Sequence, residues 1–132
     1  MEYETTVDVR FRDIDAMGHV NNAVYATYAE QARVNYFSDV VDRDLSAVGS
    51  VLATISIDYR RPIEMEDGPV TVVVDVQDLG ESSIPMTYDL YTADGDLAAE
   101  IESVQVAVDP ETGTSRPIPD DWREAIESFH AD

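Results

Sequence analysis

The 132-residue sequence has no cysteine and no lysine. Without cysteine there can be no disulfide, no thiolate nucleophile and no Cys-ligated metal. Histidine is nearly as scarce. His19 and His130 stand too far apart for a local zinc motif such as H-E-x-x-H, so no metal or other cofactor is expected. No apolar run approaches the ~20 residues that cross a bilayer. The opening MEYETTVDVR is acidic, unlike the basic-then-apolar start of a secretory signal. A soluble, cytoplasmic protein with no membrane partner is expected.

Positive charge is the other scarcity. Eight basic residues, all arginine, face 28 acids, for a formal net charge of −20. Such a chain repels nucleic acid. It is not an acidic disordered tail, because 44% of its residues are hydrophobic and fall into strand-like patterns. Acids spread along a lysine-free folded chain suit a cytosol of molar salt, where the Debye length shrinks to about 3 Å and self-repulsion is screened. The composition is that of a halophile's protein, and the charge then describes the solvent rather than the substrate.

The length fits one domain, residues 1–132. Residues 3–11, YETTVDVRF, alternate polar and apolar side chains as a half-buried strand does. Over 22–38 the period changes: Val24, Tyr28, Ala32 and Tyr36, flanked by Tyr25 and Ala29, predict one apolar helix face. Residues 39–50, with Ser46 and Gly49, read as a loop. Strands are predicted at 51–61, 69–79, 84–92 and 97–109, the last two joined by the turn signal Ala93-Asp94-Gly95-Asp96. The tail DDWREAIESFH (120–130) opens with acids suited to a helix start. The result is an α+β fold, one long helix with a five-stranded antiparallel sheet. In one phase the last strand is polar at Glu100 and Glu102 but apolar at Val104, Val106 and Val108. That mixture suggests a bulge, or burial against a second subunit.

The densest chemistry lies in DIDAMGHVNNAVY (13–25). Asn21 or Asn22 would cap the helix for about 1 kcal/mol, and Asp13, Asp15 and Gly18 would serve a turn. Two carboxylates and a histidine could also hold a metal, but no second ligand cluster accompanies them. A third reading uses every part: a carboxylate beside a helix N-terminus, whose unpaired N–H groups polarise a carbonyl, is equipped for acyl transfer to water.

VRFRDIDAMGHVNNAVYATYAEQARVNYF resembles the opening of the hotdog-fold acyl-CoA thioesterases, in particular the 4-hydroxybenzoyl-CoA thioesterase-like family, with its strand, D-x-D-x-x-G, polar stretch, tyrosine and long helix. ISIDYRRPIEMEDGPVTVVVDVQDLGESS and DPETGTSRPIPDDW are similar to later parts of that family. The resemblance implies a sheet wrapped around the helix, a homodimer or homotetramer, and hydrolysis of acyl-CoA to a carboxylic acid and CoA. It makes Asp15, the second aspartate of D-x-D, the catalytic carboxylate, with the Asn22 backbone N–H polarising the carbonyl. The H-V-N-N stretch is also similar to that of plant-type acyl-ACP thioesterases, which implies that His19 orients the water or Asp15. Gly18, Tyr25, Arg60, Arg61, Ser82 and Ser83 fall where the substrate would be held, although Arg60 and Arg61 could equally pair with neighbouring acids. Asp13 is assigned to the turn, and Glu30 on the helix is the rival acid. Glu81 stands where the family commonly carries a basic or small polar residue near the CoA phosphates. An acyl-ACP substrate, or a binding protein without turnover, therefore stays open.

Dilute buffer should destabilise the fold, because at 0.01 M salt the Debye length is about 30 Å and the acids repel one another. The melting temperature should rise between 0.05 M and 3 M KCl; an unchanged value sinks the halophile assignment.

Overall fold

The computed structural model describes residues 1–42 and 49–131. The first strand, β1, is Tyr3–Val7, shorter than the 3–11 that alternation predicts. It pairs antiparallel with β3 (Val70–Val76), ending at Val7↔Val70. Pro69 stands just outside that pair and has no N–H to extend the ladder. The chain leaves the sheet there and coils into a 3-10 turn at Phe11–Asp13.

Helix α1 runs Val24–Tyr36 and continues as a wider, π-type turn over Phe37–Val41. It starts two residues after Asn22. The Asn21 side-chain oxygen accepts from the Ala23 N–H and its carbonyl from the Val24 N–H, both at 2.9 Å. That Asx-type turn occupies Asn22 and Ala23 before the helix can begin. The helix closes at Asp42, whose left-handed backbone (φ 60°) turns its N–H back to the Phe37 carbonyl. Residues 39–41 are thus helical rather than loop. Most of the remaining predicted loop, 43–48 with Ser46, lies outside the described residues.

The sheet is completed by β2 (Ser50–Tyr59), β4 (Ser83–Tyr91) and β5 (Leu97–Ala107), in the order β1-β3-β4-β5-β2. Every neighbouring pair is antiparallel. Gly49 leads into β2 at φ 67°, where a Cβ would sit 2.7 Å from the Val108 carbonyl, so no other residue fits without a shift. The irregularity expected in the last strand is there, where Leu90 faces Ala99 and Tyr91 faces Leu97 and Ala98 is left over in β5. A second one lies on its neighbour, where Leu52 faces Gln105 and Thr54 faces Val104, leaving Ala53 over in β2.

The core lies between the sheet and α1, which buries Tyr25, Tyr28, Ala29, Ala32 and Tyr36. Val24, expected on that face, is only half-buried, and Arg33 joins it instead. Arg33 donates through Nη1 to the Tyr88 hydroxyl (3.0 Å), which lies 2.7 Å from Ser103 Oγ. Helix α2 (Asp120–His130) forms where the acidic start predicts it and buries Trp122 and Ile126. Trp122 meets Phe37 edge-on at 6.3 Å between ring centroids. Among the described residues no helix is long and apolar enough to cross a membrane.

Neither helix covers β2. Val51, Leu52 and Tyr59 are 51%, 44% and 45% exposed, and the strand's outer edge has no partner in the sheet.

Candidate active site

The segment 13–23 is held from both sides by its own hydrogen bonds. The Asp13 carboxylate accepts from the Arg10 N–H at 2.9 Å and from the Tyr28 hydroxyl at 2.8 Å, tying the turn to α1. Burial, then the hydrogen bond and charge of Asp13, push the Tyr28 phenol well above its ordinary range, so it stays a donor. The Asn21 N–H reaches the Asp13 carbonyl (2.8 Å), and the Val20 N–H reaches the Ile63 carbonyl (2.7 Å). Between these anchors the Asp15 N–H donates to the His19 carbonyl, and Gly18, at φ 80°, makes the reversal.

Asp15 is partly exposed, and its Oδ1 accepts from the Met17 N–H at 2.9 Å. One oxygen is therefore fixed, which aims the carboxylate and leaves the other for chemistry. Asp15, His19, Asn22, Tyr25, Arg60 and Arg61 share the walls of one cavity of about 380 Å³. Six residues from three parts of the sequence, the loop, α1 and the segment just after β2, thus converge on one cavity. The Asn22 N–H has no partner among the described residues. It stands just ahead of α1, where helix geometry presents free donors.

The other members are more constrained. The His19 ring faces Glu64, at 4.0 Å from Nε2 to Oε1. Glu64 has a raised carboxyl pKa, chiefly because it shares a hydrogen bond with Glu66. Tyr25 is 1% exposed; burial raises its pKa, and its hydroxyl donates to the Arg61 carbonyl at 3.3 Å. Arg60 pairs with Glu100 at 2.7 Å, and Arg61 with Asp67 at 3.0 Å and Asp96 at 2.8 Å. Both arginines line the cavity, but acids engage them.

Gly18 is exposed and contributes the turn, outside the cavity wall. Ser82 and Ser83 lie elsewhere. Ser83 pairs with Val106 of β5, whereas Tyr59 at the cavity pairs with Ala99, seven residues away or ~23 Å along the strand. Glu30 is exposed on α1 and lines neither this cavity nor a second hollow of about 320 Å³ near Arg10 and Arg12. Three residues that pattern reasoning passed over also stand at the site: Met17, Tyr59 and Glu64. Tyr59 ends an alternating strand just ahead of Arg60-Arg61-Pro62, the only signal that it borders the site. Among the described residues no three acidic or histidine side chains gather as a metal site.

The profile of the thioesterase-like superfamily matches residues 9–126. The long-chain acyl-CoA thioesterase FadM of Escherichia coli (strain K12) is 27% identical over 130 residues, 96% of this chain and 98% of that one. A crystal structure of a thioesterase from Thermus thermophilus, complexed with coenzyme A and Zn, is 38% identical. It superposes with a TM-score of 0.88 over 98% of this chain and 94% of that one. A 1,4-dihydroxy-2-naphthoyl-CoA thioesterase from Synechocystis, at 18% identity, shares the fold with a TM-score of 0.89 over the full length of both chains.

Tyr28→Phe removes the bond to Asp13. It should lower unfolding free energy by about 1–3 kcal/mol, as expected for a hydrogen bond to a charged acceptor. The raised phenol pKa adds a sign: its stabilisation is whole below the ordinary value of 10.0 and is lost as pH climbs past it. The variant should therefore lose less stability than wild type above pH ~10. Denaturant titrations at neutral and alkaline pH in high salt check both. Equal stability of the two proteins counts against the Asp13 tie.

Proposed function

This chain belongs to the thioesterase-like superfamily and is a thioester hydrolase, and we propose that it cleaves acyl-CoA to a carboxylic acid and free CoA with Asp15 as the reacting carboxylate. The observation that carries the proposal is the shared cavity of Asp15 and Asn22, with one Asp15 oxygen held by the Met17 N–H and the Asn22 N–H unpartnered among the described residues. The thioester oxygen accepts from Asn22, which stabilises charge as it builds in the transition state. The free Asp15 oxygen attacks the carbonyl carbon, or takes a proton from a water that does. The C–S bond then breaks, and the CoA thiolate leaves and is protonated. Where Asp15 itself has attacked, water then hydrolyses the mixed anhydride, releasing the carboxylic acid and restoring the Asp15 carboxylate. None of these steps requires a metal. CoA as the carrier rests on the Thermus thermophilus structure, described as a complex with coenzyme A.

The working unit in this proposal is at least a dimer joined through β2. An open strand edge with exposed Val51, Leu52 and Tyr59 is a pairing site in waiting. Antiparallel pairing of two β2 edges about a two-fold axis would lay a second subunit beside Tyr59 and the cavity it borders. Light scattering in high salt should give a multiple of 14.6 kDa; a monomer alone counts against a shared site.

Asp15→Asn keeps the shape and removes nucleophilicity and basicity. Its kcat for thiol release should fall by about 10²–10⁴-fold, the usual contribution of a positioned acid–base group, with fold and CoA binding retained. Glu30→Gln should stay close to wild type. The reverse pattern, an active Asp15→Asn and a dead Glu30→Gln, would make the helix carboxylate the catalyst. A wild type that binds acyl-CoA and releases no thiol across a substrate panel would make this member a binding protein.

A further inference from the structure

We infer that Tyr59, the last residue of β2, is a positioning residue for the oxyanion donor: its hydroxyl holds the peptide that follows Asn22 and so steadies the Asn22 Cα, with its N–H toward the thioester. The inference rests on the assignment of Asn22 made above. The Tyr59 hydroxyl donates to the Asn22 carbonyl at 2.8 Å. Among the described residues this is the hydrogen bond that holds Asn22. The bonds around it belong to its neighbours: Val20 to Ile63, Asn21 to Asp13, and Ala23 and Val24 to Asn21. Asn22 sits between the end of the loop and the first turn of α1, so its ψ angle is the joint between them. Clamping its carbonyl fixes the peptide that follows, and the Val24 N–H bond to the Asn21 carbonyl fixes the peptide that bears the Asn22 N–H. Between them the Asn22 Cα and the direction of that N–H are held.

Tyr59 is itself well anchored for this task. Its ring meets the buried Tyr25 ring nearly edge-on, at 4.8 Å between centroids and 74° between planes. The strand end is pinned because the Arg60 and Arg61 N–H groups both donate to the Ala98 carbonyl, at 2.8 and 3.1 Å. A rigid sheet thus holds a phenol whose far end grips a flexible backbone position. That is the order of stiffness a preorganised donor requires. The anchor also lies on the exposed edge strand, so whatever covers β2 bears directly on Tyr59.

Tyr59→Phe keeps the ring and its contact with Tyr25 and removes only the hydroxyl. Loss of one neutral hydrogen bond that matters in the transition state corresponds to about a 5–10-fold fall in rate. The expected result is a kcat for acyl-CoA hydrolysis about 5–10-fold lower, with KM, melting temperature and assembly close to wild type. A purely structural hydroxyl would lower stability and leave kcat of the folded fraction intact; a substrate-binding one would raise KM alone. Either pattern overturns the inference. As a second readout, amide hydrogen exchange at Ala23, whose N–H shares the clamped peptide with the Asn22 carbonyl and donates to Asn21 Oδ1, should speed up several-fold in Tyr59→Phe, and unchanged exchange also overturns it. Asp15→Asn, run in parallel, separates the two levels. A dead Asp15→Asn beside a wild-type Tyr59→Phe removes the role of Tyr59 alone, whereas an active Asp15→Asn removes the assignment beneath it.

Discussion

The hydrogen bond from the Tyr28 hydroxyl to the Asp13 carboxylate is the joint on which the candidate site depends. Asp13 ends a 3-10 turn that has just left the sheet, and Tyr28 lies one turn into α1. The bond sets the distance between them, and the ten residues 14–23 must close that fixed gap. They do so through a reversal at Gly18, which brings Asp15 and Asn22 to one cavity. The pair D-x-D divides its labour: Asp13 Oδ2 takes both the Tyr28 phenol and the Arg10 N–H and ties the turn to α1 away from the cavity, whereas Asp15 gives Oδ1 to the Met17 N–H and lines the cavity.

A second constraint is the open edge. In the order β1-β3-β4-β5-β2, α1 packs beside β1 and β3, and β2 is left uncovered at the far side. Yet β2 ends at the cavity, where Tyr59 touches both Tyr25 and Asn22. The least protected strand therefore borders the candidate site. Leu52, Ile55, Ile57 and Tyr59 line up, through the β2–β5 register, with Gln105, Ser103, Ile101 and Ala99. This largely apolar lane begins at the site and runs the length of the strand. A second subunit laid along it would turn an exposed liability into the wall of a substrate channel. Acyl specificity would then depend on packing between subunits.

Periodicity made the elements legible, and contact between distant residues made the rest illegible. The helix face at Tyr25, Tyr28, Ala29, Ala32 and Tyr36 follows directly from spacing, as does α2 from its acidic start. The ends were misjudged wherever a backbone partner decided them: Pro69 opposite β1, Asn21 before α1 and the left-handed Asp42 after it. Arg33 defies its residue type because its partner, Tyr88, is 55 positions away, and nothing local announces it. The loop cluster around Asp15 was readable because its chemistry is contiguous in the chain. Tyr59 and Glu64 were not, since each becomes relevant only when the end of β2 folds back against residues 19–22. Ser82 and Ser83 show the opposite limit: a likeness of sequence assigns them to the substrate, whereas the sheet register places Ser83 seven residues along β5 from the cavity.

Five of the eight arginines show how the chain accommodates its acidity. Arg60 and Arg61 are neutralised by Glu100, Asp67 and Asp96; Arg123 donates to the Gly80 carbonyl; and Arg116 lies 5.6 Å above the Trp122 ring. Arg33 is in the core. Guanidinium suits these places because its planar fork makes several directed bonds and stacks on rings, which an ammonium does not. The two classes respond differently to salt. The exposed Arg60–Glu100 pair contributes about 1 kcal/mol at most, and molar salt removes most of that. The bond of Arg33 to Tyr88 and the packing of Arg116 on Trp122 are short-ranged and shielded from ions. Salt therefore weakens the surface pairs and the repulsion among the surplus acids together. Because the acids far outnumber the pairs, the balance favours the folded chain as salt rises, with the apolar core and the shielded arginines left to hold it.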